Sequence, residues 1–262
     1  MLNYKTLLNE NSSEWVILIH GAGGSMEVWY RQVSDFSRYC NVLLLDLAGH
    51  GDSGQEGYGE GFGFATIAEQ VIEVVNHLNI KKAHYMGLSL GTVIVREIAE
   101  RYPEAVKSML MVGAITRITP TLQSLLVFSE KFQRFLPFKL LKKSFTFFLV
   151  PQKRYQDSKK VFYKSGERVS YDSFVNWIRL NRGISKRLKQ LFDTTATIPT
   201  VYLTGEDDWL FLNHIKRTVR YGGELATLVI IPKSGHVCNV DNKVDFNAAA
   251  IDFMKSISTQ AE

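Results

Sequence analysis

The sequence predicts an α/β fold: a mostly parallel central sheet with helices on both faces, interrupted once by a helical insertion. Three observations predict it. Short, continuous apolar runs of strand length recur along the chain. Amphipathic stretches of helical period separate them. One central segment lacks the runs and carries a charge opposite to that of the remainder. Continuous rather than alternating apolar runs mark strands buried on both faces, as in a parallel sheet covered by crossover helices.

The elements follow in order. Trp15–Ile19 is an apolar run that stops at the glycine-rich HGAGG. Val42–Leu45 is a second, ending at Asp46 and another glycine-rich loop. Residues 66–79 place Ile67, Val71, Val74, Val75 and Leu78 on one helical face. Ala83–Met86 is a short strand running into Gly87, residues 90–102 form a helix closed by Tyr102-Pro103, and Ser108–Val112 is another buried strand. A second series begins at Thr200–Leu203, followed by a helix over 213–221, a strand at Leu225–Ile231, and a helix over 243–257 with Val244, Phe246, Ile251, Phe253, Met254 and Ile257. The organisation read from this is a core formed by residues 1–114 and 196–262, with 115–195 as a helical cap. In that segment Phe128, Phe132, Phe135 and Leu136 recur at helical spacing, followed by Phe145, Phe147, Phe148 and Leu149.

At 262 residues and 45% apolar, the chain is long enough for one sizeable core. Two distant cysteines, Cys40 and Cys238, form neither a disulfide framework nor a metal-binding pair. The first 14 residues lack a basic stretch followed by an apolar one, and no run reaches the roughly 18–20 apolar residues of a spanning helix. A reduced, cytoplasmic protein is the expectation. Charge is uneven. Residues 117–190 hold 17 Lys/Arg against 4 Asp/Glu, a balance of +13; the remainder holds 14 against 22, or −8.

The strongest chemical signal is Gly87-Leu88-Ser89-Leu90-Gly91, a G-x-S-x-G that follows a strand and opens a helix. This is the context of a nucleophile elbow, a turn so tight that bulk is excluded two positions either side of the serine. A serine hydroxyl needs a general base. Of six histidines, only His236, in the loop after the last strand, comes last in a Ser…Asp…His chain order. The base needs an acid to orient it. Glu206, Asp207 and Asp208 follow the strand at Thr200–Leu203, and either aspartate is placed to reach His236. Acyl transfer also needs oxyanion donors. Leu90, which follows the nucleophile, supplies one amide; the loop His20–Gly24 is the source of the second. That loop matches neither nucleotide-binding glycine pattern, G-x-x-x-x-G-K-[ST] or G-x-G-x-x-G.

Four motifs in this order resemble the α/β-hydrolase superfamily, in particular small esterases and lactonases with a helical cap: HGAGG at 20–24, DLAGHGDSG at 46–54, GLSLG at 87–91, and GEDD with SGH at 205–208 and 234–236. The resemblance covers about residues 14–115 and 196–257. It implies Ser89 as nucleophile, His236 as base, Asp208, third after the glycine, as acid, and the amides of Ala22 and Leu90 as oxyanion hole. It implies a structural role for His20, Asp46, His50 and Gly51. No metal or organic cofactor is implied. Two departures stand out: the usual N-terminal strand pair is shortened, and Thr92 occupies a position where many relatives have glycine. A serine nucleophile argues against dehalogenase and epoxide hydrolase chemistry. It leaves open ester, thioester, lactone and carbon–carbon hydrolysis, and a low-turnover ligand sensor.

The cap is basic and rich in Phe and Leu, most densely at residues 131–154. The expected partner is a small acyl substrate, with an anionic group or an anionic membrane surface as the charge-based expectation. Nucleic acid is not expected, since no recognition module is visible. The motifs do not address oligomeric state.

Overall fold

A computed structural model describes residues 1–54, 61–132, 135, 138–180 and 184–259; Leu136 lies outside the described residues. Seven strands form one sheet: β1 (Tyr4–Leu7), β2 (Trp15–Ile19), β3 (Asn41–Leu45), β4 (Ala83–Leu88), β5 (Val106–Val112), β6 (Thr200–Gly205) and β7 (Ala226–Ile231). Their spatial order is β1-β3-β2-β4-β5-β6-β7. β1 pairs antiparallel with β3, Tyr4 opposite Leu45, and every other pairing is parallel. The expected α/β architecture is the observed one.

The apolar runs become two buried faces because successive side chains alternate across the sheet. Ile17, Ile19, Leu43, Leu45 and Tyr85 face one side, where α2 (Phe64–His77) and α3 (Gly91–Arg101) cover them through Val71, Val75, Val93 and Ile98. Val16, Leu18, Val42, Leu44 and Met86 face the other, covered by Trp29, α1 (Tyr30–Phe36) and α11 (Lys243–Thr259) through Phe36, Phe246, Ala250 and Met254. Val244 departs from the expected stripe of α11: it is exposed, because the buried stripe is centred on Phe246, Ala250 and Met254. β1 and α1 complete the N-terminal third.

Between β5 and β6 the chain forms α4 (Pro120–Phe132), α5 (Phe138–Leu149), α6 (Gln156–Glu167), α7 (Tyr171–Leu180) and α8 (Ile184–Phe192). α8 is rooted in the body: Leu188, Leu191 and Phe192 are buried in the same apolar cluster as Ile94 and Ile98 of α3. Arg96 of α3 donates to the Leu191 carbonyl at 3.0 Å from Nε. After β6 come α9 (Leu212–Gly222) and, past β7, the short α10 (Cys238–Asp241).

The strand order positions the site. From β2 the chain steps to β3 on one side and then returns to β4 on the other, so the loops leaving β2 and β4 diverge to opposite faces of the sheet. In open α/β sheets the crevice at this reversal, beyond the carboxyl ends of the strands, is where ligands bind. The loop from β2 is His20–Gly24, and the turn from β4 carries Ser89.

Candidate active site

Ser89 has φ +53°, in the left-handed region that side chains avoid. The turn is held by the Ser89 amide, which donates to the Val112 carbonyl at 2.8 Å, and by its carbonyl, which accepts from the Thr92 amide at 3.0 Å and the Thr92 hydroxyl at 2.6 Å. Thr92 also accepts the Ile115 amide at 3.3 Å. The hydroxyl that replaces glycine here thus ties the elbow to the segment following β5. The flanking glycines are sterically required. A Cβ on Gly87 would lie 2.5 Å from the Gly91 backbone, and one on Gly91 would lie 2.5 Å from the Ile19 carbonyl oxygen. The result is a serine oxygen raised above the sheet at the amino end of α3, where the helix dipole favours developing negative charge.

His236 and Asp208 meet it there. His236 Nε2 lies 3.0 Å from Ser89 Oγ, and His236 Nδ1 lies 2.9 Å from Asp208 Oδ2. Both the imidazole and the carboxylate are buried, with 2% and 0% of their side chains exposed. Asp208 is oriented on its other oxygen by the Phe211 amide at 3.2 Å. The Phe211 ring packs against the imidazole, centroids 5.1 Å apart.

Asp207 points elsewhere. Its carboxylate pairs with Arg154 and accepts the Tyr155 hydroxyl, and its carbonyl accepts Gln152 Nε2 at 2.9 Å. All three partners come from the segment joining α5 to α6. Gln152 and Arg154 fall within the basic stretch 131–154, but nothing in their spacing identifies any of the three as a partner of Asp207. Glu206 accepts the Lys233 amide at 2.7 Å.

The amides of Ala22 and Leu90 donate to no protein group among the described residues, and both residues border the space next to Ser89. The loop presenting Ala22 is braced by two histidines. His20 Nδ1 donates to the Gly21 carbonyl at 2.7 Å, and its Nε2 accepts the Leu47 amide at 3.0 Å. His50 Nε2 accepts the Gly23 amide at 3.0 Å, its Nδ1 facing the Ala48 carbonyl at 3.1 Å. Burial holds both imidazoles below the usual histidine range; for His50, with His20 adding a like-charge penalty, the pKa falls to about 3. Neutral rings with both nitrogens engaged brace a loop and are not available as bases. Asp46 fixes the neighbouring loop, accepting the Met26 amide at 2.8 Å and the Asp52 amide at 3.0 Å. Trp177 of α7, which no sequence motif marks, donates to the Ala48 carbonyl at 3.1 Å and packs its ring on His50 with centroids 4.9 Å apart.

Above Ser89 lies an apolar cavity of about 110 Å³, walled by Leu122, Leu126, Phe145, Phe174, Trp177 and Phe211 among others. Among the described residues no cluster of His, Cys, Asp and Glu could hold a metal ion, and no helix is long and apolar enough to cross a membrane.

The α/β hydrolase fold family matches residues 14–243. The chain belongs to this family. Its membership supports a hydrolase, as the motifs lead one to expect. RutD of Agrobacterium fabrum, provisionally named a carbamate hydrolase, is 33% identical over 105 residues, 40% of each chain. RutD of Acinetobacter baylyi, named likewise, is 25% identical over an alignment covering 97% of this chain and 98% of its own. The chain thus spans about two-fifths of the first relative and nearly all of the second. An esterase from Exiguobacterium antarcticum has the same fold, with a TM-score of 0.81 at 16% identity, covering 97% of this chain and 95% of that one.

Proposed function

We propose that the protein is a serine hydrolase that cleaves an ester-type acyl bond through a covalent acyl-enzyme. The observation that carries this reading is the unbroken line Ser89 Oγ–His236–Asp208, with spacings of 3.0 and 2.9 Å, at the foot of an apolar cavity. His236 Nε2 takes the Ser89 proton as Oγ attacks the carbonyl carbon. The carbonyl oxygen, now negative, accepts hydrogen bonds from the Ala22 and Leu90 amides. Asp208 holds the imidazolium that forms. His236 gives its proton to the departing oxygen as the acyl–oxygen bond breaks. Water, deprotonated by the same imidazole, then attacks the acyl-enzyme and releases the acid and free Ser89.

The cavity wall favours an apolar acyl group. The names of the relatives span carbamate and ester chemistry, and the serine line serves both. An ester is preferred because the cavity offers apolar surface and, among the described residues, no charged partner for a polar acyl group. The test uses p-nitrophenyl acyl esters and a fluorophosphonate probe. Wild-type protein is expected to turn over the esters and to be labelled at Ser89. Ser89→Ala is expected to lose at least about 10⁴-fold in kcat with an unchanged circular dichroism spectrum. Labelling elsewhere, or full activity in Ser89→Ala, would overturn the proposal.

A second reading concerns where the protein works. We infer that the outer face of α4 and α5 contacts an anionic membrane. Phe128 and Phe132 of α4, Leu140 and Phe147 of α5 and Phe135 between the two helices are exposed, Phe135 by 80%, as are Lys131 and Lys143. Between Arg117 and Gln156 the sequence has one acid, Glu130. Apolar rings interleaved with lysines suit the boundary between anionic headgroups and acyl chains. The inner faces of the same helices supply Leu122, Leu126 and Phe145 to the cavity. Co-sedimentation with vesicles of phosphatidylcholine, with and without phosphatidylglycerol, is the test. Binding should require the anionic lipid and weaken with salt. In Lys131→Ala/Lys143→Ala it should fall about 30-fold, since each lysine near the surface contributes about 1 kcal/mol. Equal binding to neutral vesicles, or no binding, would refute this reading.

A further inference from the structure

Ser89 lines two cavities of unequal size. The first is the apolar one of about 110 Å³. The second, of about 20 Å³, also reaches Ser89 and is walled by Val28, Leu88, Val161, Ser165, His236 and Val237. A cavity of about 10–15 Å³ accommodates a single water molecule. The smaller cavity therefore holds a group of one or two heavy atoms, and the larger one an extended chain. Ala22 borders both. His236 borders only the small one.

That asymmetry gives the site a direction. In acyl transfer the departing oxygen must receive the proton that the base has taken, so the leaving group lies within hydrogen-bond reach of the imidazole. His236 lines the small cavity and not the large one. The carbonyl substituent that is not expelled must then extend into the large one. We propose that the substrates are esters of a long, uncharged, apolar acid with a small alcohol of one or two carbons, not acetates of long alcohols. Among the described residues neither wall carries Lys, Arg, Asp or Glu, so an ionised group on the chain would be buried without a partner. Among the described residues, the lysines and arginines of the α4–α8 segment lie outside both cavities. The proposal rests on the assignment of Ser89 and His236 above; the following experiment separates the two.

Methyl hexanoate and pentyl acetate are isomers that differ in which side of the carbonyl carries the chain. kcat/KM is expected to favour methyl hexanoate by at least about tenfold, because a pocket that rejects even one methylene discriminates by about 10–200-fold. Val161 borders the small cavity alone. Val161→Ala should raise kcat/KM for propyl hexanoate relative to methyl hexanoate by at least about threefold. Leu126→Trp, which fills the large cavity, should lower the ratio of methyl hexanoate to methyl acetate. If both isomers are hydrolysed and pentyl acetate is equal or better, the direction proposed is wrong while the serine mechanism stands. If neither isomer nor any p-nitrophenyl ester is hydrolysed, the mechanism itself fails. A Val161→Ala enzyme whose propyl-to-methyl ratio is unchanged also overturns the assignment of the small cavity to the leaving group.

Discussion

Asp207 and Asp208 are adjacent, chemically identical and oppositely engaged. Asp208 is buried against His236, whereas Asp207 is held by Arg154 and Tyr155 at the seam with the α4–α8 segment. The mechanism assigns them different consequences. Asp208→Asn leaves the geometry in place but favours the wrong imidazole tautomer, a change that costs about 10⁴ in kcat in serine triads. Asp207→Asn removes a partner from Arg154, which is 58% exposed, and should cost at most about 1 kcal/mol of stability and little activity. Steady-state kinetics on both variants checks this; equal losses would mean that the acid has been misassigned. Sequence spacing alone left the pair open, because what separates them is the direction in which each side chain leaves one turn. Arg154 and Tyr155, more than 50 residues earlier, complete that distinction. The tight turn at Ser89, in contrast, was legible, since Gly87 and Gly91 are the local trace of a steric constraint: a Cβ on either would lie 2.5 Å from neighbouring backbone. The bracing roles of His20 and His50 were legible only through likeness. Their burial and the atoms they engage belong to the folded loops.

At the scale of elements, the central strands were legible because burial on both faces writes a continuous apolar run. β1 was not. Tyr4–Leu7 is an edge strand of four residues with its middle two exposed, so no run betrays it, and its antiparallel pairing with β3 supplies its reason to form. α1 escaped for a related cause: of its seven residues only Gln32 and Phe36 are buried, too few to mark a face. α11 was found, but its apolar residues spread around the helix, and Val244 remains 69% exposed. The helices α4–α8 were expected as a group without individual roles. Their amphipathic patterns say which face is apolar but not which neighbour covers it. α8 illustrates the point: Ile184, Leu188 and Leu191 recur at helical spacing, yet their partner is α3 of the body. The two faces of α4 and α5 divide similarly, with Leu122 and Leu126 on the cavity and Phe128 and Phe132 stacked on the outside, centroids 4.6 Å apart.

For the whole molecule, the uneven charge has a structural counterpart. The basic α4–α8 segment meets acids of the body at several points: Lys164 and Arg168 reach Glu27, Arg168 reaches Asp52, Arg154 reaches Asp207, and Arg187 reaches Glu97 and Glu100. Part of the +13 is therefore complementary to the −8 across an internal seam. These contacts are not equivalent. Arg168 and Asp52 are 34% and 61% exposed, so solvent and salt screen them. Glu97 is only 3% exposed and receives Arg187 Nε and Nη2, each at 2.6 Å, with Arg101 3.5 Å away. Removing Arg187 strands a buried carboxylate, a loss that costs about 3–5 kcal/mol when no partner remains. Arg101 remains, which places Arg187→Ala near the lower end, about 3 kcal/mol. Arg168→Ala should cost no more than about 1 kcal/mol. Urea midpoints of the two variants measure the difference. The double variant Glu97→Gln/Arg187→Gln, which removes the stranded charge together with its partner, should recover much of the loss. An Arg187→Ala midpoint no lower than that of Arg168→Ala would mean that the buried pair does not hold α8 to α3, leaving Leu188, Leu191 and Phe192 to do so by apolar packing alone.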